Sequence, residues 1–307
     1  MGLQETFFNV FAMFALMGLG AIISIKSSFH PKQGTIIAEI LITIAMPGLI
    51  LYSFISSENT IPLFNLFLLM SLMITICLVG ICLLFLIGKS VFSAETKKIA
   101  LLSTLGNTGF IGIPLCFVVF GPEGAVYAAV VDISLDIVLW TVAPLLLAQT
   151  TDWQGAFRAA LVSPPFAAIV IGLMWMLFNF EAPVLIVDIV EYVALLATPL
   201  AMMFIGMHIP PMFRLGKLPL SFFEIGSIVT IKLLLLPMIV YSGLYFLVTD
   251  PLLRNVLVLQ TAMPTVAAAS IIFEQHQKAG MFATQAIVCT TLISVVTLPL
   301  IVWVLFL

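Results

Sequence analysis

The segment from Leu105 to Pro114 reads LGNTGFIGIP and places three glycines and a proline inside a long apolar run. A proline in a helix interior removes one backbone hydrogen bond and clashes with the preceding turn, which costs about 3 kcal/mol. Unpaired backbone groups are also expensive in lipid, so an interrupted membrane helix persists only where it lines a cavity or is buried in protein. For this segment alone, a simple proline kink remains the alternative.

A second interruption follows about 150 residues later, where Gln260 to Thr265 reads QTAMPT, again in the middle of an apolar run. Two interruptions at corresponding places favour two broken helices over two unrelated kinks.

The composition identifies the solvent of this chain. Of its 307 residues, 63% are hydrophobic and only 8% charged, and the mean hydropathy is +1.27. A soluble domain is about one quarter charged. The net charge of −3 also excludes the basic face that a nucleic-acid binder needs. The chain is therefore expected to be an integral membrane protein whose surroundings are lipid.

The apolar runs predict an all-α membrane fold with ten transmembrane helices. A helix that crosses the ~30 Å hydrocarbon core needs about 20 residues, and these runs are too long and too continuously apolar for barrel strands. The first run lacks a basic leader and a cleavage site, so we expect it to be retained. The predicted spans are 5–25, 35–56, 63–88, 97–120, 124–148, 160–179, 184–207, 219–248, 253–275 and 280–305.

Basic residues predict the orientation in the membrane. Nine of the eleven lie in or beside the odd-numbered loops: Lys26, Lys32, Lys89, Lys97, Lys98, Arg158, Arg214, Lys217 and Lys278. Cytoplasmic loops are rich in Lys and Arg. We therefore expect a multi-pass membrane protein with both termini outside.

The two halves of the chain share a proline pattern. Pro47 and Pro199 lie at the same depth in spans two and seven, and Pro144 and Pro299 do so in spans five and ten. The pattern divides the chain into repeats 1–150 and 158–307. Because each half holds an odd number of spans, the second must enter the membrane from the opposite side. Inverted repeats with the substrate at their interface are typical of transporters.

The paired interruptions predict an anion site. If Pro114 and Pro264 stand in the first turns of the second half-helices, two helix N-termini point at the membrane midplane, each with about half a positive charge. Such termini bind anions, most simply a carboxylate. Neutral polar groups and small residues beside the breaks complete the site. The predicted substrate-binding residues are Asn107, Thr108, Gly109, Gly112, Pro114, Gln260, Thr261, Met263, Pro264, Thr265 and Met46.

The deepest charges are Asp132, Asp136 and Lys232. A charge at the bilayer centre costs at least ~2.5–3.5 kcal/mol, so such residues usually face the protein interior and pair. We expect Asp136 and Lys232 to approach one another, with Asp132 nearby on the same helix face. The group is either a stabilising ion pair, a proton relay, or charge compensation by Lys232 for the substrate.

No cofactor or metal site is expected. The coupling ion, if one exists, is H⁺ or Na⁺. The four cysteines lack ligand spacing and are interpreted as small apolar residues.

Several motifs resemble those of the auxin efflux carrier family, which comprises bacterial organic-acid permeases and plant PIN carriers within the wider bile-acid and auxin carrier group. Asn107-Thr108-x-x-x-Gly112-Ile113-Pro114-Leu115 is similar to the family's crossover in span four, and Gln260-x-Ala262-Met263-Pro264 to the crossover in span nine. Phe204-x-Gly206 and Thr297-x-Pro299 are also similar. The chain lacks the long central loop of the plant carriers, which favours the prokaryotic branch and therefore implies the bacterial cytoplasmic membrane as its location.

The resemblance implies a secondary active transporter of a small mono- or dicarboxylate such as malate, malonate or lactate. It implies an elevator-like cycle, in which spans 3–5 and 8–10 move against a scaffold of spans 1, 2, 6 and 7. Asn107 matches the family's substrate-binding asparagine, and Pro114 and Pro264 match its crossover prolines. A homodimer is a possible assembly.

Two groups of alternatives stay open. One is a sodium-coupled bile-acid-type organic-anion symporter, which needs a cation cage near the crossover. The other is an intramembrane enzyme, a sensor or a channel. The histidines are peripheral and the two aspartates share a helix turn, so we expect no enzyme. Rings of like charge, typical of many channels, are also missing from the sequence.

Overall fold

The fold is described by a computed structural model that covers residues 3–26, 31–57, 61–92, 95–147, 162–178, 180–181, 183–213, 222–270, 272–273 and 280–305. These ranges are almost entirely helical, which confirms the predicted all-α class. The helices are α1 (Leu3–Lys26), α2 (Pro31–Ile40), α3 (Met46–Ile55), α4 (Leu63–Val91), α5 (Thr96–Thr104), α6 (Ile113–Leu146), α7 (Pro164–Leu177), α8 (Val184–Phe213), α9 (Phe222–Thr230), α10 (Leu236–Leu247), α11 (Pro251–Thr261) and α12 (Gly280–Leu305).

Within the described ranges, seven helical segments are long and apolar enough to cross a membrane. They are Phe8–Lys26, Ile36–Ile55, Leu63–Val91, Thr108–Leu146, Val184–Pro211, Phe223–Leu247 and Gly280–Leu305. Large apolar side chains on them face outward, and Phe246 is 86% exposed. These features agree with a multi-pass membrane protein. The ten-helix inverted repeat, and the orientation that rests partly on Arg158, Arg214, Lys217 and Lys278 outside the described residues, stay predictions.

The boundary between predicted spans four and five is a bend. The helical segment Thr108–Leu146 passes through Gly121, whose φ of 74° and ψ of −164° are not helical. That backbone conformation favours glycine because other residues would bring Cβ too close to the backbone. Pro122 follows and suits the first turn of the helix beyond the bend.

In the described part of the chain, three π-helical turns each end two residues before a proline. A proline ring clashes with the carbonyl four residues earlier, and a local π-helical adjustment is one way in which membrane helices accommodate a proline. These turns are Leu41–Ala45 before Pro47, Thr108–Gly112 before Pro114, and Ile231–Leu235 before Pro237. Pro199 and Pro299, in contrast, lie inside α8 and α12, which continue past them.

The chain forms two compact units. The first contains residues Met1–Leu66, Gly109–Val130 and Ala159–Leu215. In it, α1 packs along α8, and α3 packs against α7 and α8. The contact between α1 and α8 is close: a Cβ added to Gly20 would lie 2.2 Å from the carbonyl oxygen of Met203, and one added to Gly206 would lie 1.9 Å from that of Met17. Glycine is therefore required where these two backbones meet.

The second unit contains residues Phe67–Thr108, Val131–Arg158 and Gly216–Leu307. Its centre is the π-turn Ile231–Leu235, which contacts both α5 and α12. Helices α10 and α11 pack together, and α11 also contacts α12. Both interrupted segments meet in this unit.

Candidate functional site

Two short helices end in the interior of the second unit. Helix α5 ends at Thr104, after which Leu105 is extended, with φ −81° and ψ 121°. Helix α11 begins at a cap, because the Asp250 carboxylate accepts hydrogen bonds from two backbone amides of its first turn, and it ends at Thr261. Each ending leaves carbonyls without the amides that a continuing helix would supply.

The chain segments that follow these helices pair with each other. Gly106 and Thr265 form an isolated antiparallel bridge. The backbone amide of Asn107 donates to the Pro264 carbonyl at 2.7 Å, and the backbone amide of Val266 donates to the Leu105 carbonyl at 3.2 Å. Backbone groups released by one break are thus satisfied by the other, as burial away from water requires.

Thr265 ties this bridge to two helices. Its hydroxyl donates to the Leu102 carbonyl of α5 at 2.9 Å, and its amide donates to Oγ1 of Thr290 on α12 at 3.1 Å. Thr265 and Thr290 are both completely buried. The segment that follows α11 is therefore hydrogen-bonded to α5, to α12 and to the segment that follows α5.

Lys232 lies on the π-turn and is also completely buried. Its Nζ donates to the Thr104 carbonyl at 2.8 Å and to the Thr261 carbonyl at 3.1 Å. These two residues are the last of α5 and α11. One ammonium group therefore caps both broken helices at their C-terminal, partly negative ends.

The expected ion pair between Asp136 and Lys232 does not form, although the structure describes both residues. The two helix ends that surround the Lys232 ammonium carry together roughly one negative charge, so a carboxylate partner is not needed. Asp132 instead accepts a hydrogen bond from the Thr108 hydroxyl at 2.5 Å. Asp136 lies one turn further along α6.

Most of the predicted substrate-binding residues come together in this unit. Asn107 and Thr108 are at most 7% exposed, and they lie beside the bridge with Gln260 in the last turn of α11. The other members that the structure brings there are Thr261, Met263, Pro264 and Thr265. The remaining predicted residues, Met46, Gly109, Gly112 and Pro114, belong to the first unit. Their part in the site stays a prediction.

Pro264 occupies a place that differs from the expectation. Pro264 does not stand in the first turn of a second half-helix; it lies in the extended segment, where its carbonyl serves the bridge. Helical residues resume only at Ala269. Pro114 is the second residue of α6, which follows the π-turn Thr108–Gly112. A proline in an extended segment gives up no helical hydrogen bond, and this explains why Pro264 is accommodated there.

Sequence reasoning missed the groups that hold the breaks together. The carbonyls of Leu102 and Thr104 carry no residue-specific signal, and Thr290 is one of several hydroxyl residues in an apolar helix. Gly106 offered a signal, since it is the first glycine of the interruption. A Cβ at Gly106 would lie 3.0 Å from Nζ of Lys232 and 3.3 Å from the Met263 carbonyl oxygen.

Metal-ligating side chains do not cluster in the part of the chain that the structure describes: it contains no group of three or more His, Cys, Asp or Glu residues that could hold a metal ion.

Comparisons with known proteins agree with these features. A family model described as membrane transport protein matches residues 5–153 and 153–302. An "Uncharacterized transporter" of Methanothermobacter thermautotrophicus is 26% identical over 98% of this chain and 97% of its own length. Another of that description, from Methanocaldococcus jannaschii, is 24% identical over 96% of this chain and 97% of its own. A "Putative malonate transporter" of Rhizobium meliloti is 28% identical over 70% of this chain and 68% of its own.

Proposed function

Because the chain belongs to the membrane transport protein family, the auxin efflux carrier family that its motifs resemble, we propose that it is a secondary active transporter of a small carboxylate across the cytoplasmic membrane. The substrate class is a mono- or dicarboxylate such as malonate, malate or lactate. The observation that carries the proposal is the pairing of the two interrupted helices around Asn107 and Thr108.

The start of the helical segment at Thr108 supports an anion as the substrate. Helix N-termini present free N–H groups and partial positive charge, and they bind carboxylates without a basic side chain. The Asn107 amide N–H is used by the bridge. Its side-chain carboxamide forms no hydrogen bond within the described residues, so it remains able to donate to a bound oxygen.

The relative from Rhizobium meliloti supports a carboxylate in particular, because its name refers to malonate. Malonate carries two carboxylates on one carbon. A site that combines a helix N-terminus with an asparagine carboxamide can bind one carboxylate at each.

Proton coupling follows from the position of Asp132. Its carboxylate accepts a hydrogen bond from the Thr108 hydroxyl, beside the proposed site. An ionised carboxylate there repels a bound anion, whereas a protonated one does not. We therefore propose that the substrate anion moves together with a proton, with Asp132 as the residue that takes up the proton and Asp136 as its neighbour in the relay.

An elevator-like cycle is the proposed mechanism, as the family resemblance implies. The bridge supports one step of it. Because Gly106 and Thr265 are hydrogen-bonded within one unit, α5 and α11 have to move together. The substrate held beside them would move as part of that unit.

The proposal is tested first by binding. The purified protein is screened by thermal shift against malonate, malate, lactate and acetate, with sulfate as an inorganic anion. We expect at least one carboxylate to raise the Tm of the wild type, and Asn107→Ala to remove that rise. Asn65→Ala is the matched control, since this asparagine donates to the Tyr127 hydroxyl in the first unit. If carboxylates stabilise Asn107→Ala as much as the wild type, the proposed site is wrong.

The second test is transport. Proteoliposomes with the carboxylate that binds best should accumulate it when an inward proton gradient is applied. An absence of uptake by a protein that binds the carboxylate would refute the transport proposal while leaving the binding site in place.

A further inference from the structure

Lys232 is a buried charge of an unusual kind. Its side chain is completely enclosed, and no carboxylate of the described residues pairs with it. Taking an ammonium ion out of water costs several kcal/mol even after the protein relaxes, unless its surroundings compensate the charge. The compensation that the described residues provide comes from main-chain dipoles.

The two acceptors are equivalent in kind. Each is the carbonyl of the last residue of an interrupted helix, Thr104 in α5 and Thr261 in α11. A helix C-terminus carries roughly half a negative charge. Two such ends together balance one ammonium group, so the arrangement is close to neutral without any acidic side chain.

Carbonyls at the C-terminal ends of half-helices are also the groups that bind a coupling sodium ion in transporters built from broken helices. In this chain the same type of site is occupied by a tethered cation. The π-turn Ile231–Leu235 places Lys232 opposite both helix ends. Gly106 leaves the room for it, because a Cβ there would lie 3.0 Å from Nζ.

We infer that the Lys232 ammonium is a built-in cation that holds the two broken helices together and occupies the position a coupling sodium ion would take. The wild-type protein therefore needs no sodium for its fold or for substrate binding. The statement about substrate binding rests on the proposed function; the statement about the fold does not. This assignment argues against the sodium-coupled alternative.

The test compares cations at constant total chloride. The Tm is measured for the wild type, Lys232→Ala and Lys232→Met in sodium, potassium, choline and ethylammonium chloride. We expect the wild type to have the same Tm in all four salts. Lys232→Ala should melt several degrees lower in choline and recover, in a saturable way, with ethylammonium or sodium, which can enter the space that the side chain leaves.

Lys232→Met separates the charge from the volume. Methionine fills most of the space but offers no donor, so its Tm should be low and no cation should restore it. Lys98→Ala is the control for a peripheral lysine, which is paired with Glu95 at 2.8 Å. Its response to the four salts should match that of the wild type.

Two results would overturn the inference. One is a saturable stabilisation of the wild type by sodium over choline, which would place a sodium site elsewhere. The other is a Lys232→Ala protein with the same Tm in ethylammonium, sodium and choline. If Lys232→Ala does not fold, the sodium response of the wild type decides alone. None of these measurements contains a carboxylate, so they can fail independently of the carboxylate screen.

Discussion

Replacing Thr265 by valine removes one hydroxyl and almost no volume from the paired break. That hydroxyl donates to the Leu102 carbonyl at 2.9 Å. Because α5 ends at Thr104, this carbonyl has no amide one turn further along to take the place of the hydroxyl. A buried acceptor that loses its partner costs about 1–3 kcal/mol, and we expect Thr265→Val to lose stability in this range.

The assay is chemical denaturation or thermal shift of the purified variants, with proteoliposome uptake measured alongside. Thr141→Val is the matched control, since the Thr141 hydroxyl donates to the Ile137 carbonyl at 2.6 Å in the part of α6 that lies beyond the bend at Gly121. That carbonyl keeps its helical amide when the hydroxyl is removed. If Thr265→Val loses no more stability than Thr141→Val, the bridge does not hold the two helices together as described.

Three further predictions follow. Gly20→Ala should destabilise the first unit by about 1–3 kcal/mol, because its Cβ would lie 2.2 Å from the Met203 carbonyl oxygen. Gly18→Ala should not, because a Cβ there would have no heavy atom within 4 Å. Equal Tm values for the two variants would contradict the close contact. Asp136→Asn should reduce uptake driven by a pH gradient but spare exchange at equal pH, and unchanged uptake would exclude Asp136 from a relay. Gly121→Ala should lower stability by about 1–3 kcal/mol, since a φ of 74° with a ψ of −164° is a conformation that glycine alone adopts readily; an unchanged melting curve would argue against that bend.

The composition and the positions of glycine and proline were sufficient to predict the fold class and the helix breaks. Scarcity of charge predicted a membrane protein, and continuous apolar runs predicted helices. The helices α5 and α11 end at Thr104 and Thr261, next to or within the predicted interruptions at 105–114 and 260–265. These positions could be predicted because glycine and proline both destabilise a helix interior. These signals are local, and they are also the ones that support the family resemblance confirmed by the match to the membrane transport protein model.

The partners of the buried groups could not be predicted in the same way. Lys232 was expected to pair with Asp136, because a sequence shows which charged side chains are present. It does not show which main-chain carbonyls lack a hydrogen-bond donor. The actual acceptors are the main-chain carbonyls of Thr104 and Thr261, and any residue type provides a carbonyl. They become acceptors only because two helices end there. Pro264 was misplaced for a related reason: the extended pairing of its segment depends on a second segment far away in the chain.

The bridge also has a consequence for biogenesis. The Thr265 hydroxyl binds the Leu102 carbonyl, which lies 163 positions earlier in the chain. Thr290, which binds the Thr265 amide, lies later still. Until the C-terminal third of the chain has entered the membrane, the Leu102 and Thr104 carbonyls at the end of α5 lack the hydrogen-bond donors that Thr265 and Lys232 provide. A nascent or truncated chain would therefore display an unsatisfied helix end at the depth of the bilayer.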